Sequence, residues 1–401
     1  MVAAGTLATF VVAGVASLFM AWAIGAGSSG STPFAPAVGA NAISVMRAGL
    51  VVGVLGFLGA VLQGANVTQA VGTSLIAGDV TITATAAIVS LVTAAVLVAF
   101  GVFAGYPIAT AFTVTGAVVG VGLALGGDPA WAKYTEIASL WVAVPFVGGF
   151  VAYVTARLLR ADRVPERYVV PGLAGLVGVI VANIGFTLLG PGDTSASLAE
   201  AAAARLDLTD ATVAGVDPVV VAVTLAVALA AAVALFRDME RDAAAGQRHF
   251  LLTLGGLVAF SAGGSQVGLA IGPLVPLLDS GLDVPLTAVL VGGGLGLLAG
   301  SWTGAPRMIK ALAQDYSNLG PRRSIAALIP SFAIAQTAVA FGIPVSFNEI
   351  IVSAIIGSGY AAGGAGVSTR KMAYTVLAWV GSLVLAFGLG YGVYTVVDAV
   401  L

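Results

Sequence analysis

Apolar runs of about twenty residues recur from one end of this chain to the other, separated for the most part by short loops. At 1.5 Å of rise per residue, a run of that length is what an α-helix needs to cross the hydrocarbon of a bilayer. Charged residues make up only 8% of the chain, against about a quarter in soluble domains, and the shortage extends over its whole length. The pattern predicts an all-α polytopic membrane protein whose partner is the lipid bilayer. About twelve spans are expected, near 5–25, 47–64, 84–104, 107–126, 138–157, 169–190, 217–236, 250–275, 284–302, 325–342, 346–363 and 373–396. Some of these fit re-entrant hairpins as well as full spans, since only Gly105, Tyr106 and Pro107 separate the third run from the fourth. The stretch from Met1 to Met20 lacks a positively charged beginning and reads as a first span, not a cleaved signal.

Basic residues set the orientation. With the N-terminus outside, the inner loops hold Arg47; Arg157, Arg160, Arg163 and Arg167; Arg237, Arg241 and Arg248; Arg307, Lys310, Arg322 and Arg323; and Arg370 and Lys371. Only Lys133 and Arg205 fall outside. So uneven a division predicts a multi-pass protein of the plasma membrane with both termini outside. The longest outer loop, roughly 191–216, carries Asp193, Glu200, Asp207 and Asp210 and is expected to hold a solvated surface helix.

The chain has no cysteine, and its single histidine, His249, sits in a charged loop, which excludes disulfides, thiolate chemistry and histidine-rich metal sites. No phosphate-cradling loop, His/Glu zinc spacing or Ser/His pairing occurs, so neither an enzyme nor a resident cofactor is expected. A net charge of −2, carried in a few short loops, says little about partners, and no nucleic-acid partner is expected.

Two of the apolar runs carry unusual insertions: AIGAGSSGSTPFAP from Ala23 to Pro36, and SAGGSQVGLAIGPL from Ser261 to Leu274. They align with each other, Gly25 with Gly263 and Gly30 with Gly268, 238 residues apart. Further on, GYPIATAFTVTGAVVGVG (Gly105–Gly122) aligns with GIPVSFNEIIVSAIIGSG (Gly342–Gly359) at an offset of 237, and Trp141 matches Trp379. The copies are an odd number of spans apart, so they cross the membrane in opposite directions. The expected organisation is a first inverted repeat over 1–160, connecting spans over 161–249 and a second repeat over 250–401. Such repeats characterise secondary transporters, whose substrate site lies near the midplane where broken helices meet. Gly and Pro free backbone groups that lipid cannot satisfy but a polar cavity or ligand can. For either stretch alone the alternative is close helix packing through small residues. Trp22, Trp131, Trp141, Trp302 and Trp379 lie mostly near span ends, as interfacial anchors do.

At these residues the sequence resembles the inorganic phosphate transporter (PiT) family. FSAGGSQVGLAIGPL, Phe260 to Leu274, is similar to that family's FSHGANDVANAIGPL. AIGAGSSGSTPFAPAVGA, Ala23 to Ala40, is similar to its AIGANDVANAFGTSVGS, with one residue inserted before Val38. The two stretches beginning at Gly105 and Gly342 resemble its G-x-P-V-S-T-T-H-x-x-V-G-A-x-x-G pattern, and EIASLWVAVPFVGG its Trp–Pro–Gly span. The resemblance implies about twelve spans, outward termini, an inorganic anion as substrate and sodium as coupling ion, and it allows a homodimer.

The departures are specific. In the family the Asn-Asp pair of each signature helps coordinate sodium, and the S-T-T-H hydroxyls help hold phosphate. Here the pairs are Gly27-Ser28 and Ser265-Gln266, so both aspartates are absent, and the later asparagines become Ser31 and Leu269. Of the hydroxyl motifs Thr110 survives, with Thr113 just beyond it, and Ser346. The resemblance therefore implies substrate binding by Ser28, Ser29, Ser31, Thr32, Thr110, Thr113, Ser265, Ser346 and Asn348. Ser28 and Gln266 would serve the coupling ion, sodium or a proton. Glu349 is an ionisable residue four positions after a span-interior Pro-Val-Ser turn, which marks a pathway, and it is the expected replacement for the lost aspartates. A side chain snorkelling toward a water-filled vestibule is its other reading, and Gln336 is an expected interhelical hydrogen-bonder. Taken together, these residues predict a secondary active transporter of an oxyanion, first of all phosphate, with alternating access and cation coupling. Sulfate or another tetrahedral anion, and passive passage through a channel, are the alternatives.

Overall fold

The computed structural model describes residues 4–400 except 79, 162–164, 187–188, 191–194, 207–216, 279–283 and 365–366, with side chains from residue 8 onward. Arg163, Asp193, Asp207 and Asp210 lie outside the described residues. Every apolar run of the sequence forms a helix: α1 Ala4–Ile24, α3 Val45–Gln63, α5 Ala84–Ala104, α6 Thr110–Ala124, α7 Trp131–Leu158, α8 Glu166–Ala182, α10 Pro218–Arg241, α11 Ala243–Ile271, α13 Leu286–Thr303, α15 Pro321–Ala340, α16 Phe347–Tyr360 and α17 Thr369–Val400. Short helices join them: α2 Ala35–Gly39, α4 Ala65–Thr73, α9 Leu198–Leu206, α12 Val275–Leu278 and α14 Ala305–Gln314. Helix α9 is the one expected in the acidic outer loop. Its start is a capping box in which the Ser197 N–H donates to the Glu200 carboxylate and the Glu200 N–H to the Ser197 hydroxyl.

Among the described residues, nine helices are long and apolar enough to cross a membrane. The runs that became α6, α8 and α16 are shorter, at 15, 17 and 14 residues. For α6 and α16 the backbone supplies the reason. After α5 and after α15 the chain reverses at a glycine with positive φ, Gly105 (73°) and Gly342 (63°), a conformation that costs a side-chain-bearing residue. It then runs without regular structure through Pro107 or Pro344 before helix resumes. Proline lacks the N–H that a helix interior requires, so each of these runs is part extended chain and part helix.

Packing follows matched pairs. Helix α3 packs on α11 while α13 packs on α1; α7 packs on α16 while α17 packs on α6. The closest approaches match as well. A Cβ on Gly59 would overlap the carbonyl of Phe260, and one on Gly300 would overlap the carbonyl of Trp22. Gly59 on α3 and Gly300 on α13 thus let α11 and α1 approach their backbones closely.

One expectation is corrected. The glycine-rich SAGGSQVGLAI segment does not break its helix: α11 runs unbroken to Ile271, and a 3-10 turn follows only at Gly272–Leu274, where Pro273 sits. A helix-interior glycine costs only about 1 kcal/mol relative to alanine, and here the missing side chain admits a neighbour, since a Cβ on Gly263 would meet the Gly56 carbonyl. Close packing is the outcome for that stretch. In the first copy helix geometry does change, to a π-helical turn over Gly25–Ser29.

Polar contacts tie together loops that the charge pattern places on one side. The Arg322 guanidinium donates two bonds to Glu166, at 3.0 and 2.7 Å. Arg248 donates to the Ala42 carbonyl and Arg307 to that of Phe103. Lys371 pairs with Asp315 and lies 4.4 Å from the centre of the Tyr106 ring.

Candidate functional site

The two extended segments, 106–109 and 343–346, raise the question of how their backbone groups are satisfied inside a membrane protein, where water is scarce. Four side chains answer it. The Trp379 indole N–H donates to the Pro107 carbonyl at 2.8 Å, and the Trp141 indole to that of Pro344 at 3.1 Å. The Asn348 amide donates to the Ile108 carbonyl at 2.7 Å and also to that of Gly27 at 2.9 Å. The Gln266 amide donates to the Val345 carbonyl at 2.8 Å. Trp141 and Trp379 are therefore more than interfacial anchors: each locks one hairpin, and the matching of the two indoles across the halves was the signal for it.

Gln266 also faces the other way. Its Oε1 accepts from the Ser28 hydroxyl at 3.1 Å and from the Thr110 hydroxyl at 2.7 Å, and those two hydroxyls lie 3.5 Å apart. Ser28, Thr110 and Gln266 are wholly buried. Three residues far apart in the sequence thus meet at one point, the amide oxygen of Gln266. Neighbouring positions in the sequence carry further buried polar atoms. The hydroxyls of Ser29, Ser265 and Ser346 and the Asn348 carbonyl oxygen are buried and have no hydrogen-bond partner. Ser31 and Thr32 sit on the turn after Ser28 and both donate to its carbonyl, and Thr113 donates to Ala109 one turn back along α6.

The helices α6 and α16 start beside this cluster, at Thr110 and Phe347, and no side chain caps either one. Their first N–H groups and the positive ends of their dipoles favour an anion. Within the described residues Glu349 is the only fully buried carboxylate, lysine or arginine. Its Oε2 has no partner, and the residue lines a groove between α7 and α17. Among the described residues a hydrogen bond joins Ser28 to Gln266, and none joins Glu349 to either. Gln336 is an interhelical hydrogen-bonder as expected, donating to Ser261 on α11 and Gln63 on α3.

Residues 24–390 match the sequence model of the phosphate transporter family. A candidate phosphate permease of Chlamydia trachomatis is 25% identical over 91% of this chain and 92% of its own. Inorganic phosphate transporter 2-1, chloroplastic, of Arabidopsis thaliana is 25% identical over 90% of this chain and 67% of its own. Among solved structures, that of a sodium-dependent phosphate transporter superposes with a TM-score of 0.79 at 22% identity, covering 98% of this chain and all of the other, which establishes the shared fold. The chain belongs to the phosphate transporter family.

Proposed function

We propose that this protein is a secondary active transporter of phosphate that works by alternating access between two inverted halves, 1–160 and 250–401, linked by the spans of 161–249. The observation that carries the reading is the convergence of the Ser28 and Thr110 hydroxyls on a single buried point held by Gln266 from the other half. When Gln266 swings aside, the same two donors are aimed at whatever oxygen replaces its own. The starts of α6 and α16 and the spare hydroxyls of Ser29, Ser265 and Ser346 supply the rest of an oxyanion site that needs no positive side chain.

Two features refine the substrate and its coupling. The buried, unpartnered Asn348 carbonyl oxygen is an acceptor. Hydrogen phosphate has a proton to offer it and sulfate has none, so the site favours phosphate. The anion enters a site without a formal positive charge, and moving it uncompensated into low dielectric is costly. A cation carried with it, sodium at the oxygens of Ser28 and Gln266 or a proton on Glu349, lowers that cost. The protein works in the plasma membrane with both termini outside.

Reconstitution tests this directly. In vesicles, saturable uptake of labelled phosphate in excess of sulfate is expected, driven by an imposed sodium or proton gradient. Non-saturable flux indifferent to both gradients is the signature of a passive channel and overturns the proposal. Glu349→Gln is expected to abolish coupled uptake; unchanged sodium and pH dependence dismisses a coupling role for Glu349.

A further inference from the structure

Helices α7, α16 and α17 enclose a groove of about 730 Å³ that the anion site does not use. Its outer walls face the lipid side of the fold: Phe146 on α7 is 74% exposed, Phe150 67% and Val380 on α17 52%. Its inner wall is the face of α16 that carries Glu349, and among the described residues no lysine, arginine or histidine lines it. Trp141 and Trp379 also line it, with their indole N–H groups already committed to Pro344 and Pro107. What these rings have left to offer are π faces and edges. Phe112 stacks on Trp141 at 3.9 Å and so covers part of that ring.

An apolar groove of this size suits a small amphiphile. A hydrocarbon tail alone would fill it and leave the carboxylate oxygen unpartnered, whereas a positively charged nitrogen would pair with the carboxylate and lie against electron-rich rings. We propose that the groove is a lateral binding site for a hydrophobic ammonium, a molecule with one cationic amine on a hydrocarbon body. The amine meets Glu349, and the body lies along Phe146, Phe150 and Val380. Binding is open to measurement without any uptake, so the proposal stands or falls apart from the transport reading.

The test uses the full chain in nanodiscs of phosphatidylcholine, with Trp22, Trp131 and Trp302 replaced by Phe so that emission reports the groove. The probe is 11-bromoundecylammonium, a tryptophan quencher, compared with 11-bromoundecanol at equal loading of the bilayer. Quenching by the ammonium should saturate, be reversed by unlabelled decylammonium, and reach half-effect at a concentration at least tenfold below that of the alcohol. Glu349→Gln should raise that concentration to the alcohol's, and Glu349→Asp should recover most of the difference. Equal concentration dependence for ammonium and alcohol overturns the proposal, as does a Glu349→Gln variant that binds the ammonium unchanged. Should Glu349→Gln fail to fold, the contrast between the two probes on the parent protein decides alone.

Discussion

Replacing Gln266 by Glu puts a formal negative charge at the point where the Ser28 and Thr110 hydroxyls meet. The side chains have nearly the same shape, so a carboxylate oxygen takes the place of Oε1, at 3.1 Å from one hydroxyl and 2.7 Å from the other. It accepts both bonds more strongly than an amide oxygen does. An anion that seeks the same donors is displaced to about 5 Å from that carboxylate. At an effective dielectric of about 20, two unit charges at that separation repel by ~3 kcal/mol, or ~200-fold in affinity. Sodium held between carboxylate and anion reverses the sign of the interaction. The expected result in reconstituted vesicles is a KM for phosphate raised by about two orders of magnitude without sodium and largely recovered at saturating sodium. The variant also loses the bond to the Val345 carbonyl, at a stability cost of about 1–3 kcal/mol that thermal unfolding measures separately. A phosphate KM within threefold of the parent's at every sodium concentration, in a folded variant, would place the anion elsewhere and refute the reasoning.

Asn348→Ala leaves the carbonyls of Gly27 and Ile108 without their donor and should destabilise the protein by about 2–5 kcal/mol in denaturant titration. Trp379→Phe and Trp141→Phe each remove one bond to a hairpin carbonyl; the two should cost similar amounts, about 1 kcal/mol, and unequal effects would count against equivalent halves. Gly300→Val drives a side chain into the Trp22 carbonyl, so a fall in thermal midpoint is expected, from about 1–3 kcal/mol of overpacking or more because backbone must move. Arg322→Ala should change stability by no more than about 1 kcal/mol, because the guanidinium side of its pair with Glu166 is 52% exposed.

The helices were legible because lipid demands long apolar runs, and the run boundaries fall within a few residues of the observed ends for α3, α5 and α13. The turns at Gly105 and Gly342 were legible as matched Gly-x-Pro motifs. What local sequence did not carry was the use made of each polar group. SAGGSQVGLAI reads as a helix breaker until α3 and α4 are seen filling the space its glycines leave. Trp141 and Trp379 read as interfacial until the extended segments, with carbonyls in need of donors, are placed beside them. Gln266 was named for a coupling ion from its position in a motif. Its bonds to both a hydroxyl pair and a carbonyl depend on three other segments arriving at the same place. Glu349 was grouped with the site as an ionisable residue inside a span; it stands one residue from Asn348, and a helix turns about 100° per residue, so the two side chains leave the helix in different directions.

That division of labour bears on how the halves could move. Six hydrogen bonds near the site cross between the segments 1–160 and 250–401: Ser28 and Thr110 to Gln266, Asn348 to Gly27 and Ile108, Trp141 to Pro344 and Trp379 to Pro107. Buried bonds between membrane helices are worth about 0.6 kcal/mol each on average, so the six together add about 3–4 kcal/mol to the packing between the segments. Binding an anion at micromolar affinity releases about 8 kcal/mol. Two of the six bonds use donors that the anion itself would claim, so its arrival would remove about a third of this hydrogen-bond contribution while replacing those donors' partners. A ligand shifts a conformational equilibrium only through such differences between states. The Asn348 and indole bonds have no such substitute, so their removal should ease the motion without touching the anion's own donors.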